Sequence, residues 1–343
     1  MRAKLTIAIA ALQLVVLAYM AGEREWVVRT GRTIYLRTAP LDPRDAMRGD
    51  YVSLSYDISR VPRDLWPGGL AATNPTTEEL PRDTKVYAAL RTSPDGVAEL
   101  TALSLQPPAS GLFIRGRTEG SWVTALPVRY GLEAYFMEQG RGLELERGQN
   151  REGIRVPLEM ETAVSPGGLA VLKGYRWCAL GIGLDLVSKE EPAVNGQRRR
   201  RNVGATVRLL NASSNDVAVV DLPGRRSLAL VPDQGWQANP WSWMNAGQPP
   251  PPPQAGQIIV LKPGQTHSFS ITFDDPLWFV LKQDHGRKQP PLRLTELTNQ
   301  WGERFRFEYR PPDPAACADL PNARLIWHGR LPSRAFNVSG IVD

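Results

Sequence analysis

The chain opens on an unbroken apolar run and then changes period. Leu5 to Met20 carries no charge, and Arg2 and Lys4 stand ahead of it. At about 1.5 Å per residue, a helix from Leu5 through Gly22 would reach roughly 27 Å, enough for a thin bilayer. Basic residues before a short apolar stretch also mark a secretory signal. Here Tyr19 and Met20 fill the places where a cleavage site wants small side chains. The pattern predicts an uncleaved anchor over 1–22. No second run of this length follows, so one membrane span is expected. The positive-inside rule places Arg2 and Lys4 in the cytoplasm and the rest beyond the membrane.

After Gly22 the apolar positions alternate. Val52, Leu54, Tyr56 and Ile58 would share one face of a strand, with Ser53, Ser55 and Asp57 on the other. Ile34 and Leu36 do the same within Thr33–Arg37. Lys85–Leu90 and Val97–Leu105 flank Ser93-Pro94-Asp95-Gly96, a hairpin signal. Ser165-Pro166-Gly167-Gly168 separates Ile154–Ala163 from Leu169–Leu172. One short helix is expected near Leu132–Gln139, where Leu132, Tyr135 and Phe136 share a face and Gly140 follows at the C-cap.

The second half repeats the strand pattern. Phe269, Ile271 and Phe273 alternate with Ser268, Ser270 and Thr272; Phe305, Phe307 and Tyr309 alternate with Arg304, Arg306 and Glu308. Val217–Val220, Leu228–Val231, Ile258–Leu261 and Ala335–Val342 are further candidates. Short strands punctuated by turns read as an antiparallel β-sandwich, immunoglobulin-like by pattern only, since no Cys…Trp…Cys spacing is present. Lys189–Asn202 is polar and basic and is expected to be a linker. The expected fold is therefore mainly β: an anchor over 1–22, a β-rich domain over 23–188, the linker over 189–202 and the sandwich over 203–343.

Composition supports strands and turns, because Gly and Pro each occur 30 times in 343 residues. The net charge is +6 and the pI about 9.4, much of the excess lying in Arg198–Arg201. Such a run can meet nucleic acid or anionic lipid. With no aromatic residue interleaved it reads as a solvated linker, and no nucleic-acid partner is expected. Cys178 and Cys317, the only cysteines, form no CxxC. A bond between them would close a long loop and stabilise by roughly 5 kcal/mol in the chain-entropy model; two buried free thiols are the alternative.

One stretch carries a family resemblance. Gly49-Asp50-Tyr51-Val52-Ser53-Leu54-Ser55-Tyr56 matches in full the signature of the GDYXXLXY family. Pro43–Arg48 looks like that family's lead-in. Tyr130-Gly131-Leu132-Glu133-Ala134-Tyr135-Phe136-Met137-Glu138 resembles its second segment, and Ala170–Gly174 its closing strand. The resemblance covers roughly 1–187 and implies a soluble domain beside, or fused to, a bacterial membrane protein. Together with the positive-inside rule the expectation is a single span in the bacterial inner membrane with the bulk of the chain periplasmic. It implies no catalytic residues. Read physically, Gly49 permits a tight turn, Asp50 can accept nearby backbone N–H groups, and the strand follows. That makes the motif a turn-and-strand keystone. The functional alternative is a polar recognition surface of Asp50, Tyr51, Glu138, Glu144 and Glu146.

Catalytic sets fail on inventory. The layout of an anchor, Pro43 and then Gly49-Asp50 is similar to that of type I signal peptidases, yet the position of their nucleophilic serine is Leu41, which has no oxygen to attack with. His267, His285 and His328 are scattered, and no metal site is expected from them. No phosphate loop or GxSxG occurs. Glu159 and Glu161 sit at strand spacing and read as a solvated face. Trp236, Trp241 and Trp243 crowd before Pro249–Pro253, where aromatic rings beside a stiff segment would suit a glycan or peptide. The expectation is a non-catalytic, membrane-anchored envelope protein that binds a protein or cell-wall partner, without a cofactor. A carboxylate-dependent hydrolase using Asp50, Glu138 and Glu144, and an accessory subunit of a polytopic membrane protein, are the alternatives.

Overall fold

The structure is a computed structural model. It describes residues 2–39, 51–62, 65–66, 81–120, 125–136, 145, 148–194, 197–233, 242–244, 251–284, 287–288, 290–297, 304–337 and 339–342. The apolar run is a helix, α1 (Arg2–Thr30), about two turns past its expected end at Gly22. Glu25 and Arg29 extend it with an i,i+4 ion pair of 2.7 Å. From Lys4 to Trp26 every residue is exposed; Val27, at 3 % exposure, is the first to be buried. At Gly31 the chain turns sharply. A Cβ there would lie 2.5 Å from the Val27 carbonyl oxygen and 3.1 Å from the backbone of Val164, so only glycine lets the helix end rest on the body.

The body is built from short strands. First come β1 (Arg32–Arg37), β2 (Tyr51–Ser53), β3 (Arg60–Pro62), β4 (Lys85–Thr92), β5 (Ala98–Ser104), β6 (Leu112–Thr118) and β7 (Ala125–Arg129). Then follow β8 (Ala134–Phe136), β9 (Asn150–Arg151), β10 (Ile154–Arg155), β11 (Leu158–Val164), β12 (Ala170–Trp177), β13 (Leu180–Val194) and β14 (Gln197–Asn211). The remainder holds β15 (Val217–Val220), β16 (Leu228–Pro232), β17 (Ser242–Met244), β18 (Ile258–Leu261), β19 (Thr266–Thr272) and β20 (Phe279–Asp284). Last are β21 (Arg287–Lys288), β22 (Leu292–Arg293), β23 (Phe305–Tyr309), β24 (Leu331–Pro332), β25 (Ala335–Asn337) and β26 (Gly340–Val342).

Among the described residues the strands pair antiparallel, and isolated parallel bridges join Tyr35 to Val97 and Ala218 to Ile326. One sheet has the order β1-β11-β12, a second β3-β7-β6-β4-β5, and β2 pairs with β8. These enclose a first core of residues from Ile34 to Ala170, including Leu36, Tyr56, Ile114, Leu126 and Met160. A second core begins at Cys178 and runs to Phe336. Its centre is Phe307, stacked 5.1 Å from Phe336 and edge-on to Trp278 at 5.4 Å. The apolar run Val217–Val220 is buried on both faces, because Val217 and Val219 enter the second core while Ala218 and Val220 enter a small third one with Cys317. Cys178 and Cys317 are free thiols in separate cores.

Three expectations need correction. The described part of Leu132–Gln139 is not a helix: Ala134–Phe136 is β8, with Tyr51 opposite Phe136 and Val52 opposite Tyr135. Pairing to β2 overrides the local 3.6-residue spacing. The strand expected over 52–58 stops at Ser53 and gives way to a 3-10 turn at Asp57–Ser59. Its apolar face survives, since Leu54, Tyr56 and Ile58 are all buried. The linker expected over Lys189–Asn202 is strand instead. Glu190 stands opposite Arg200 and Glu191 opposite Arg199, while Lys189 faces Arg201, so two of these three cross-strand positions set opposite charges against each other, the arrangement that favours pairing. The same sheet runs β19-β14-β13-β10-β9 and so carries both halves of the chain.

Truncating Phe307 to alanine should cost about 3–5 kcal/mol, the usual loss for a buried aromatic. A fall in the denaturation midpoint of the full chain in detergent would show it; an unchanged midpoint would mean that this ring is not the centre of the second core.

Candidate functional site

The two family segments fold onto each other. Tyr56 Oη donates to the Leu132 carbonyl at 2.7 Å, and Tyr130 Oη donates to the Ile58 carbonyl at 2.8 Å. Leu54 N–H donates to the Glu133 carbonyl at 2.7 Å, and the Glu133 carboxylate accepts from Tyr130 N–H at 2.6 Å. Burial pushes both phenols well above their ordinary pKa, so each stays a donor. Gly131 takes a φ of +75°, as its turn requires. Tyr135 meets Tyr175 edge-on at 6.1 Å. These contacts clamp the 3-10 turn that follows Tyr56 and present Asp57 to a cleft.

That cleft holds about 340 Å³ and is lined by Arg37, Asp57, Arg91, Asp95, Glu308 and Arg330, among others. Its Arg37 belongs to a cross-strand charge triad. Register puts Arg37 of β1 and Arg176 of β12 on either side of Glu159 of β11. Glu159 is 1 % exposed and accepts from Arg37 Nη2 at 2.9 Å and Arg176 Nε at 2.7 Å. Arg37 Nη2 also lies 3.3 Å from Asp95, and Arg176 donates to the Asp95 carbonyl at 2.6 Å while stacking 3.5 Å over the Tyr35 ring. The solvated face expected for Glu159 is thus wrong: it is buried between its two arginines. Glu161 fits that reading better, half-exposed and paired with Lys173 at 2.9 Å.

The halves meet at this point. Arg37 donates to the Arg330 carbonyl. A Cβ on Gly329 would collide with the Asp95 carboxylate and the Trp327 ring, so glycine permits the hairpin turn to dock. Surrounding protein pushes the Asp57 carboxyl above its ordinary range, although its side chain still reaches solvent; Arg37, Arg155 and Arg306 pull the other way, and Glu308 adds to the rise. Burial brings the Arg155 guanidinium down to about 10, with Asp57 opposing and Arg306, Arg37 and Arg334 adding to the fall. The arrangement can hold opposite charges on a partner at adjacent points.

Other expected site residues fall elsewhere. Gly49, Asp50, Glu138, Glu144, Glu146, Trp236, Trp241 and His285 lie outside the described residues. The backbones of Tyr51 and Phe136 pair across β2 and β8, and Trp243 lies on β17 opposite Lys282. His267 meets Asp221 at 3.0 Å and His328 the Pro312 carbonyl at 3.3 Å. Among the described residues no group of three His, Cys, Asp or Glu could hold a metal ion. The sequence reading missed Arg37, Asp57, Asp95, Arg176 and Arg330. One signal was present: Arg37 and Glu159 each adjoin apolar residues that alternate into a core.

A helix apolar enough to span a membrane, leading a body of antiparallel sheets with two interlocked tyrosine segments, defines the class. Residues 13–174 match the family model described as GDYXXLXY protein, and this part of the chain belongs to that family. No curated protein and no solved structure matches the chain.

Replacing Glu159 with alanine should cost about 3–5 kcal/mol, because it strands the buried Arg37 charge; thermal denaturation of the full chain measures it. A folded carboxyl held above its unfolded pKa loses stability as pH rises through that window. Asp57→Asn should therefore raise the melting temperature at neutral pH, and the gain should vanish as pH falls toward 3.8, the carboxyl's ordinary value. A gain that persists at low pH would exclude this origin.

Proposed function

We propose that the protein is a non-catalytic, single-pass membrane protein of the bacterial envelope whose β body binds a protein or cell-wall partner in the periplasm. The observation that carries this reading is α1: apolar, exposed from Lys4 to Trp26, and joined without a break to a buried anchor point at Val27. Water disfavours so large an apolar surface, roughly 25 cal/mol for each Å² left uncovered, whereas a bilayer covers it. Tyr19 and Trp26, at 71 % and 69 % exposure, stand where interfacial aromatic rings would sit. For the partner, support comes from the mixed-charge cleft, which offers Arg91, Arg330 and Glu99 at its rim.

The chain should sediment with membranes, resist alkaline extraction, and expose its body to protease added to spheroplasts. Leu12→Arg with Val15→Arg should release it, since each charge near the centre of a span costs about 2.5–3.5 kcal/mol on insertion. Recovery of the wild-type chain in the soluble cytosolic fraction would refute the anchor. A photo-crosslinker at Arg91 should capture an envelope component; no adduct in intact cells would count against a cleft partner.

A further inference from the structure

We propose that the outward face of β4, β6 and β7 binds the phosphate of anionic lipid headgroups and so holds the body against the membrane. This rests on the anchor reading above and adds a second, electrostatic attachment to it.

Register lines up the cations. Lys85 of β4 stands opposite Arg117 of β6, which in turn stands opposite Arg129 of β7. Arg115, two residues before Arg117, shares its face. Lys85, Arg117 and Arg129 are exposed and Arg115 is half-exposed. Like charges directly opposed weaken a sheet, so folding gives no reason for the row. Compensation is uneven. Arg129 pairs with Asp83 at 3.1 Å and Glu119 at 2.9 Å. Arg117 donates to the Asp83 carbonyl at 2.8 Å, and the Lys85 ammonium lies 5.4 Å from the Tyr87 ring centroid. The row lines a groove of about 440 Å³ in which Glu133 is the one carboxylate, and Glu133 already accepts from Tyr130 N–H.

The groove is tied to the membrane end of the body. Arg115 N–H donates to the Gly168 carbonyl at 2.9 Å. A Cβ on Gly168 would lie 2.6 Å from the ring of Phe113, which shares the face of Arg115, so the Ser165–Gly168 turn rests on this same face. That turn follows Val164, whose backbone abuts Gly31 at the end of α1. One turn therefore touches both the anchor and the basic row. An anionic headgroup layer at the foot of α1 is the phosphate source in closest reach, and attraction persists over a Debye length of about 8 Å at physiological salt.

The test uses native mass spectrometry of the full chain in detergent with equal phosphatidylglycerol and phosphatidylcholine. The wild type should retain phosphatidylglycerol about tenfold over phosphatidylcholine, a modest figure for several basic residues beside an anionic lipid. Lys85→Gln with Arg115→Gln and Arg117→Gln should abolish the preference without lowering the melting temperature. The matched variant Lys262→Gln, Arg293→Gln and Arg324→Gln, at exposed positions of the other half, should keep it. Equal retention of both lipids by the wild type, or an unchanged preference in the first variant, would overturn the proposal. So would displacement of the lipid by equimolar glycerol 3-phosphate, which would assign the groove to a soluble phosphate. Insertion into nanodiscs separates the two readings: a chain that inserts but shows no preference defeats this inference alone, and one that stays out defeats both.

Discussion

A carboxylate taken out of water must be answered by charge, and in this chain Glu159 is answered from both sides. Arg37 and Arg176 reach it from the neighbouring strands, an arrangement that only one register of β1, β11 and β12 provides. Shifting either strand by one residue would turn its arginine to the opposite face. The triad thus fixes the register of the sheet that receives α1. Through Asp95 and the Arg330 carbonyl it also fixes where the second half of the chain may sit. Buried ion pairs are poor sources of net stability, but they penalise wrong arrangements heavily.

The family motif works on the same scale. Tyr56 and Tyr130 do not display themselves; they are buried, and each phenol caps a carbonyl in the other's segment. The described part of the motif is a short strand that a 3-10 turn completes; Gly49 and Asp50, on which the keystone reading rests, lie outside the described residues. What the motif delivers is the placement of Asp57 in a cleft shared by the two halves.

Much of the strand inventory was legible because alternation is local. Val217–Val220 and Ile258–Leu261 appear with the bounds their apolar runs predict, and Phe305, Phe307 and Tyr309 all enter the core. What escaped was decided by partners distant in sequence. Leu132–Phe136 has helical spacing, and only β2 makes part of it a strand. The Arg198–Arg201 run looks like a solvated linker until Glu190 and Glu191 are seen opposite it. Glu159 looks like an exposed acid until its two arginines are in place. The cleft was illegible for that reason: its lining is gathered from β1, the 3-10 turn, β3, β4, β5 and the second half of the chain.

The continuity of α1 has a mechanical consequence. No glycine-rich or proline-rich spacer separates the apolar stretch from the sheet; the helix runs to Thr30 and seats Val27 in the body before the chain turns at Gly31. Such a joint is a stiff shaft, not a tether. Twisting or tilting the shaft by some angle swings everything fixed to it by the same angle, so a torque applied anywhere along the helix reaches the sheet.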